Sequence, residues 1–161
     1  MKEILLITLL FLNTGLSAQT VAKIYNPAAN AEKDITEALK KAKIEKKNLL
    51  IQAGGNWCSW CIEFNRFCKE DTQIDSLLRA DYIVYHLNYS PENKNESILA
   101  RYGYPQRFGF PVFLVLDENG DRIHTQDSEY LEQGKSYNKR KVLGFLSNWN
   151  RMSVNPAAYK N

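Results

Sequence analysis

The chain has 161 residues, of which 44% are hydrophobic and 24% are charged. This length suits a single domain, and the composition excludes an intrinsically disordered chain. The net charge is +3, and the lysines and arginines form no dense stripe, so the sequence lacks the electrostatic signature of a nucleic-acid-binding protein. Its three cysteines are too few for a disulfide framework.

The N-terminal residues carry the pattern of an export signal. Lys2 precedes an apolar run from Ile4 to Leu12, and small and polar residues follow. The run is shorter than the roughly 20 apolar residues that span a bilayer, so we expect no stable membrane insertion. The pattern predicts a signal peptide over residues 1–18, cleaved after Ala18, and export to the periplasm. A buried N-terminal strand or helix is the alternative interpretation.

The remaining chain is predicted to form a polar lead over 19–33, a domain over 34–150 and a loose tail over 151–161. In chain order, the hydrophobic patterns of the domain first predict a helix capped by Asp34, a buried strand over 48–53 and a helix from Ser59. A loop and short helix over 71–78, a strand over 82–89 and a short helix over 97–103 are predicted next. The domain is predicted to end with a hairpin of strands 112–116 and 122–126, a polar loop over 127–138 and a last helix from about Asn138. Alternating strands and helices that end in a tight hairpin predict an α/β fold, with a central mixed β-sheet covered by helices on both faces.

Two cysteines three positions apart, Cys58 and Cys61, lie between the first strand and the helix that follows it. Such a pair can be a redox catalyst, half of a metal site or a structural disulfide. The predicted helix places Cys58 at its N-terminus, where free amide groups and the helix dipole favour a thiolate. Cys61 lies one turn further along, on the apolar face. An exposed, activated cysteine beside a shielded one is the asymmetry that thiol–disulfide exchange needs.

Other candidate ligands in the sequence do not complete a metal site. Zinc usually takes four ligands, commonly from two paired clusters, and Cys68, His86 and His124 form no second pair. We therefore predict no metal and no cofactor, although copper delivery by the cysteine pair stays open. Cys68 is interpreted as a buried apolar residue, with a third redox thiol as the alternative. The two histidines lie in predicted strands and are interpreted as structural.

The chain resembles the thioredoxin superfamily in several motifs that follow the family's order. The matching stretches are NLLIQA (48–53), NWCSWC (56–61), LNYS (87–90), ARYGY (100–104), GFPVFLVLDENGDRI (109–123) and the last helix. With a tryptophan before its second cysteine, the motif is similar to that of exported bacterial thioredoxin-like proteins. The resemblance implies a thioredoxin-like fold in which Cys58 is the nucleophile and Cys61 resolves the mixed disulfide, the two together forming a redox-active disulfide.

The resemblance also implies residues that contact the substrate. Trp57 matches the tryptophan that flanks the family's active site. Pro111, after Phe110, matches a proline with a cis peptide bond that faces the cysteine pair, and the adjacent backbone pairs with the substrate chain. With Trp60, these residues form the expected substrate-binding set. The alternative for Pro111 is a proline that simply begins a strand.

Two features depart from the family pattern. Gln52 occupies a strand position where thioredoxins carry a buried acid that moves a proton to and from the resolving cysteine. Water or Glu63 could take that role, or turnover could be slower. The connection over 104–110 is longer than usual, and its Tyr104, Arg107, Phe108 and Phe110 are expected near the cysteine pair. Either this loop shapes the choice of partner or it simply packs.

The function predicted from these features is that of an exported thiol–disulfide oxidoreductase, of reductase or isomerase type. A primary oxidant is less favoured, because no cation or histidine between the cysteines stabilises the thiolate. Expected partners are protein thiols or disulfides and an unknown electron donor, and the chain is expected to be a monomer. The alternative is a non-catalytic binding module in which Cys58 and Cys61 form a structural disulfide.

Overall fold

The structure, a computed structural model, describes residues 23–160. The predicted signal peptide over residues 1–18 lies outside the described residues, so it stays a prediction. Within the described part of the chain, no helix is both long enough and apolar enough to cross a membrane.

Five α-helices and six strands make up the described chain. They are α1 (Ala31–Glu45), β1 (Asn48–Gly54), α2 (Ser59–Glu70), α3 (Thr72–Asp81), β2 (Tyr82–Asn88), α4 (Glu96–Arg101), β3 (Val112–Leu116), β4 (Arg122–Asp127), β5 (Glu132–Gln133), β6 (Ser136–Tyr137) and α5 (Lys139–Asn148). Three short 3₁₀ helices cover Pro105–Phe108, Ser128–Leu131 and Pro156–Tyr159.

The main sheet has four strands in the order β2-β1-β3-β4. β1 pairs with β2 in parallel and with β3 antiparallel, and β3 pairs antiparallel with β4. Every residue of β1 is buried, as the continuous apolar run at 48–53 predicts for a central strand. The predicted mixed sheet is confirmed.

Helices cover both faces of this sheet, also as predicted. Because side chains alternate along a strand, Leu49 and Ile51 of β1 pack with α1 and α4 on one face. Leu50 packs with α2, α3 and α5 on the other face, around Phe113. Gln52 is on the same face as Leu50, at the end of β1 that leads into α2.

The start of α1 differs from the prediction. The helix begins at Ala31, and its N-cap is Asn30, whose side chain accepts a hydrogen bond from the Lys33 amide at 3.1 Å. Asp34 lies within the first turn, where a negative charge interacts favourably with the helix dipole. Asn and Asp are comparable N-caps, so the local sequence offered two starting points.

The predicted polar loop over 127–138 is also wrong in part. It contains a 3₁₀ helix and the short β5–β6 hairpin, and Leu131 and Tyr137 are buried. The Tyr137 ring packs edge-on against Phe64 of α2, with the ring centres 5.0 Å apart. Leu131 and Tyr137 join the apolar cluster that α2, α5 and β3 form on this face of the sheet, so their burial depends on contacts that are distant in sequence.

The predicted loose tail folds back on the domain over residues 151–160. Arg151 forms an ion pair with Glu118 in the β3–β4 turn, and Tyr159 Oη donates a 2.7 Å hydrogen bond to the Ser153 carbonyl. These contacts are polar and lie near the surface, where no apolar pattern announces them.

Candidate active site

The cysteine pair lies where the central strand β1 passes into α2. β1 ends at Gly54, and the Cys58 amide donates a 3.0 Å hydrogen bond to the Gly55 carbonyl, which closes a tight turn. Cys58 is the N-cap of α2 and has extended backbone angles. The predicted position of Cys58 at the N-terminus of this helix is confirmed.

Cys58 and Cys61 form a disulfide with an S–S distance of 2.11 Å. The Cys58 Sγ also accepts a hydrogen bond from the Cys61 amide at 3.1 Å. The sulfur therefore takes the place of the oxygen of an ordinary capping side chain. Donors and the positive end of the helix dipole at this position favour negative charge on Cys58 when the disulfide is open.

The exposure of the pair differs from the prediction. Cys58 is 6% exposed and Cys61 is fully buried, so the expected exposed nucleophile is wrong for this disulfide form. Tyr25, Trp60 and Phe110 pack against the two cysteines and exclude most of the solvent. The asymmetry survives in a smaller form, because only Cys58 keeps an accessible edge.

Aromatic side chains border that accessible edge. Trp57 is 58% exposed, and its indole Nε1 donates a 2.7 Å hydrogen bond to the Tyr89 carbonyl. The Phe110 ring packs edge-on against Trp57 and at 4.9 Å from the Tyr89 ring. Trp60 is half-buried and packs edge-on against Tyr137. The structure therefore brings Trp57 and Phe110 together beside the disulfide.

The Phe110–Pro111 segment reaches the pair through the sheet. Its peptide bond is cis, the conformation that the resemblance implies, and Pro111 is buried. Val112, the next residue, pairs with Ala53 in the antiparallel β1–β3 ladder. This pairing holds Phe110 and Pro111 next to the turn that carries Cys58.

The rest of the 104–110 loop points elsewhere. The Arg107 guanidinium lies 4.3 Å above the Phe108 ring and donates hydrogen bonds to the backbone carbonyls of Gly103 and Tyr104. Arg107 and Phe108 line a shallow cavity against β4, not the cysteine pair. Of the four side chains expected near the pair, Phe110 is the one that packs against it.

Gln52 is 2% exposed and lies directly beneath the pair. Its Nε2 donates one hydrogen bond to the Cys61 carbonyl at 3.0 Å and another to Tyr25 Oη at 2.8 Å. Glu63, the alternative proton carrier, is engaged on the other side of α2 by Arg66 and Ser136. The hydrogen bond from Arg66 lowers the pKa of Glu63 more than burial raises it, and Ser136 lowers it further, so Glu63 is a weak base.

Tyr25 is the site residue that the sequence interpretation missed. It lies in the polar lead, yet it is 3% exposed and packs against both cysteines. Asn56 fixes it in place: Asn56 Oδ1 accepts the amides of Ile24 and Tyr25 at 3.0 Å, and Asn56 Nδ2 donates to the Tyr25 carbonyl at 2.8 Å. The only signal in the sequence is a pair of apolar residues before Asn26-Pro27, which is too weak to place a side chain.

Of the remaining thiol and histidines, His86 packs edge-on against the Tyr25 ring, whereas Cys68 and His124 pack against other residues. Cys68 is buried and unbonded, and burial raises the pKa of its thiol to about 12, with Asp71 and Asp75 adding to the effect. Burial lowers the pKa of His86 to about 4, helped by Lys69. His124 stacks on Trp149 at 4.0 Å, and burial lowers its pKa as well. Within residues 23–160, no three His, Cys, Asp or Glu side chains come together as a possible metal site.

Comparison with known proteins gives a consistent set of relatives. Over 104 residues the chain is 26% identical to the thiol:disulfide interchange protein DsbD of Salmonella typhi, an alignment that covers 65% of this chain and 18% of that protein. The chain thus spans about a fifth of the length of this curated relative.

Solved structures share the fold. A disulphide isomerase from Xylella fastidiosa Temecula1 superposes with a TM-score of 0.70 at 20% identity, covering 80% of this chain and 98% of that one. A thioredoxin from Thermus thermophilus superposes with a TM-score of 0.51 at 21% identity, covering 70% and 81%. These likenesses establish a thioredoxin fold.

A family profile decides the classification. The profile described as Thioredoxin-like matches residues 30–118, which is more than half of the chain and includes β1, the cysteine pair, Pro111 and β3. The chain belongs to the Thioredoxin-like family.

Proposed function

We propose that this protein is an exported thiol–disulfide oxidoreductase of the thioredoxin type. The observation that carries the proposal is the Cys58–Cys61 disulfide at the N-terminus of α2, in which the Cys58 sulfur accepts the Cys61 amide. A sulfur at this position is stabilised as a thiolate, which is both the better leaving group and the attacking species in disulfide exchange.

The exchange runs through a mixed disulfide. In the reducing direction the Cys58 thiolate attacks one sulfur of a substrate disulfide, and the other substrate sulfur leaves as a thiolate. The Cys61 thiolate then attacks Cys58 Sγ and expels the second substrate thiolate. The substrate gains two electrons, and the pair is left as the disulfide. The reverse sequence oxidises a substrate dithiol.

The proposed substrate contacts are Trp57, Trp60, Phe110 and Pro111. Trp57 and Phe110 form an apolar surface beside the accessible edge of Cys58, which suits a protein chain that carries its own cysteine. The backbone next to Pro111 is proposed to pair with that chain as an added strand.

A reductase or isomerase role is the proposed direction. The Ser59-Trp60 dipeptide between the cysteines contains no cation or histidine that would make the pair strongly oxidising. The thiol:disulfide interchange and disulphide isomerase names of its relatives support this class. Export to the periplasm, an electron donor of unknown identity and a monomeric state belong to the same proposal.

The test is the reduction potential of the Cys58–Cys61 pair together with an insulin-reduction assay and partner trapping. A catalyst is expected to have a potential nearer that of thioredoxin, to reduce insulin, and to capture partner proteins as mixed disulfides in the Cys61→Ser variant. A Cys68→Ser variant serves as the matched control, because it removes a thiol from the same helix. A potential well below about −300 mV without turnover would instead indicate a structural disulfide in a binding module.

A further inference from the structure

The hydroxyl of Tyr25 and the sulfur of Cys61 border the same small space behind the disulfide. A methyl group added at Gly54 would lie 2.8 Å from Tyr25 Oη and closer still to Cys61 Sγ. Tyr25 is nearly fully buried and Cys61 is fully buried, so this space is shielded from bulk water.

The hydrogen bonds around Tyr25 determine where its proton can point. The Cys61 carbonyl oxygen can only accept a hydrogen bond, so the atom of the Gln52 side-chain amide that faces it must be the donor Nε2. The same Nε2 donates to Tyr25 Oη, so the hydroxyl oxygen is already an acceptor. Among the described residues this is the one hydrogen bond that Tyr25 Oη makes, and its own proton remains available for another acceptor.

We propose that Tyr25 donates a hydrogen bond to the Cys61 thiolate whenever the disulfide is open, with Gln52 and Asn56 positioning the tyrosine. This proposal rests on the proposed function, because an open pair is an intermediate of exchange. Tyr25 and Gln52 together then stand where thioredoxins carry a buried acid.

Cleavage of the Cys58–Cys61 disulfide leaves a charge that needs such a donor. When an incoming thiolate attacks Cys58 Sγ, the S–S bond breaks and its electron pair leaves on Cys61 Sγ, deep inside the protein. A buried anion without a donor is costly, and a preorganised hydrogen bond to a charged group is worth more than one between neutral groups. The Tyr25 hydroxyl is held in place before the charge appears.

Tyr25 stabilises the anion without losing its proton. Burial raises the pKa of Tyr25 far above its usual value, and the hydrogen bond from Gln52 only partly offsets this. The groups around it are uncharged near neutral pH: Gln52 does not titrate, and His86, which packs edge-on against the Tyr25 ring, has a pKa of about 4. Lys69 is the charged group that acts on His86. Tyr25 is therefore a hydrogen-bond donor to Cys61 and not the group that protonates it.

The experiment compares Tyr25→Phe with Tyr82→Phe in the full protein. Both changes remove one buried hydroxyl, but Tyr82 Oη donates to the Leu146 carbonyl at the opposite end of β2 from the cysteine pair. Cysteine-labelled NMR of the reduced protein gives the titration midpoint of Cys61, and stopped-flow reduction by dithiothreitol gives the rate of disulfide opening.

Tyr25→Phe is expected to raise the Cys61 midpoint by about one pH unit and to slow opening about tenfold, the loss of one hydrogen bond to a charged group. Tyr82→Phe is expected to change neither. Asn56→Ala should shift Cys61 in the same direction, and should add little in a Tyr25→Phe background, because both changes remove the same donor.

Equal Cys61 midpoints in wild type, Tyr25→Phe and Tyr82→Phe would overturn the proposal. The NMR titration needs no turnover, so it stays informative if wild-type protein fails to reduce insulin. In that case the proposed function fails, while the hydrogen bond to Cys61 is still decided by the midpoints.

Discussion

The two ends of α2 carry cysteines of the same burial and opposite chemical character. Cys58 and Cys61 at the N-terminal end are 6% and 0% exposed, and Cys68 near the C-terminal end is 4% exposed. Burial by itself therefore does not distinguish the disulfide from the free thiol.

The difference lies in the hydrogen-bond donors at each end. At the N-terminal end, the Cys61 amide points at the Cys58 sulfur, and Tyr25 and Gln52 place polar groups behind Cys61. At the other end, Cys68 packs in an apolar cluster with Asp71 and Asp75 nearby, and its pKa rises to about 12. One helix thus holds a site where negative charge on sulfur is supported and a site where it is suppressed.

The largest expected effect comes from removing the cysteine at each end of α2 in turn. Cys58→Ser should reduce insulin turnover to the uncatalysed rate, because the attacking sulfur is gone. Cys68→Ala should leave turnover unchanged, since its thiol is protonated and buried. Insulin reduction measured at one pH for both variants checks this. Retained turnover in Cys58→Ser would place the reactive thiol elsewhere.

A second prediction concerns the close packing at the N-terminal end. Gly54→Ala should destabilise the protein by about 1–3 kcal/mol and impair exchange, because the added methyl group overlaps Cys61 Sγ and Tyr25 Oη. Urea unfolding and insulin reduction measure the two effects.

Gly144 on α5 is the matched control for that change. An added methyl group there meets no atom within 4 Å, so Gly144→Ala should stabilise the helix by about 0.5–1 kcal/mol. Destabilisation of similar size in both variants would mean that the space behind the disulfide is not specially restricted.

A third prediction uses His86, which lies beside Tyr25 at the active end. The pKa of His86 is about 4 in the folded protein and 6.5 in its ordinary state. Between pH 4 and pH 6.5 the unfolded chain therefore binds more protons than the folded protein. The stabilising contribution of His86 is present above about pH 6.5 and is lost as the pH falls, on the order of 1–2 kcal/mol by pH 5. Urea unfolding at pH 7 and pH 5 should show a smaller loss for His86→Phe than for wild type, and equal losses would contradict the assignment.

A fourth prediction tests the inert end of α2 at alkaline pH. The pKa of Cys68 is raised to about 12 in the folded protein, above the pKa of about 8.5 for a cysteine in an unfolded chain. The contribution of Cys68 to the free energy of unfolding is therefore complete below about pH 8.5 and declines as the pH rises toward 12. Between about pH 8.5 and 9.5 the oxidised wild type should lose about 1 kcal/mol more than Cys68→Ala. Parallel stability curves for the two proteins would show that Cys68 titrates normally.

Most of the fold was predictable because its signals are local. The apolar run at 48–53, the hairpin of strands 112–116 and 122–126 and the last helix from about Asn138 are each predicted from their own residues, and the structure has all of them. The start of α1 was misplaced because two good capping residues compete within five positions. Tyr137 was misread because a single buried aromatic in a polar stretch has no periodicity.

The sequence by itself determined that Cys58 would cap α2. A strand, a glycine turn and a helix follow one another within about twenty residues, and the direction of the helix amides depends only on that local backbone. The family motifs, including Phe110-Pro111, could also be read without coordinates.

Only the tertiary structure decided what lies behind and around the pair. Gln52 and Tyr25 are 27 positions apart, and their hydrogen bond exists because Asn56 ties the polar lead to the active-site turn. Packing of Tyr25, Trp60 and Phe110 buries Cys58, and Arg107 and Phe108 lie against β4 instead of the cysteine pair. Such contacts depend on which distant segments share a space, and no local pattern of apolar and polar residues carries that information.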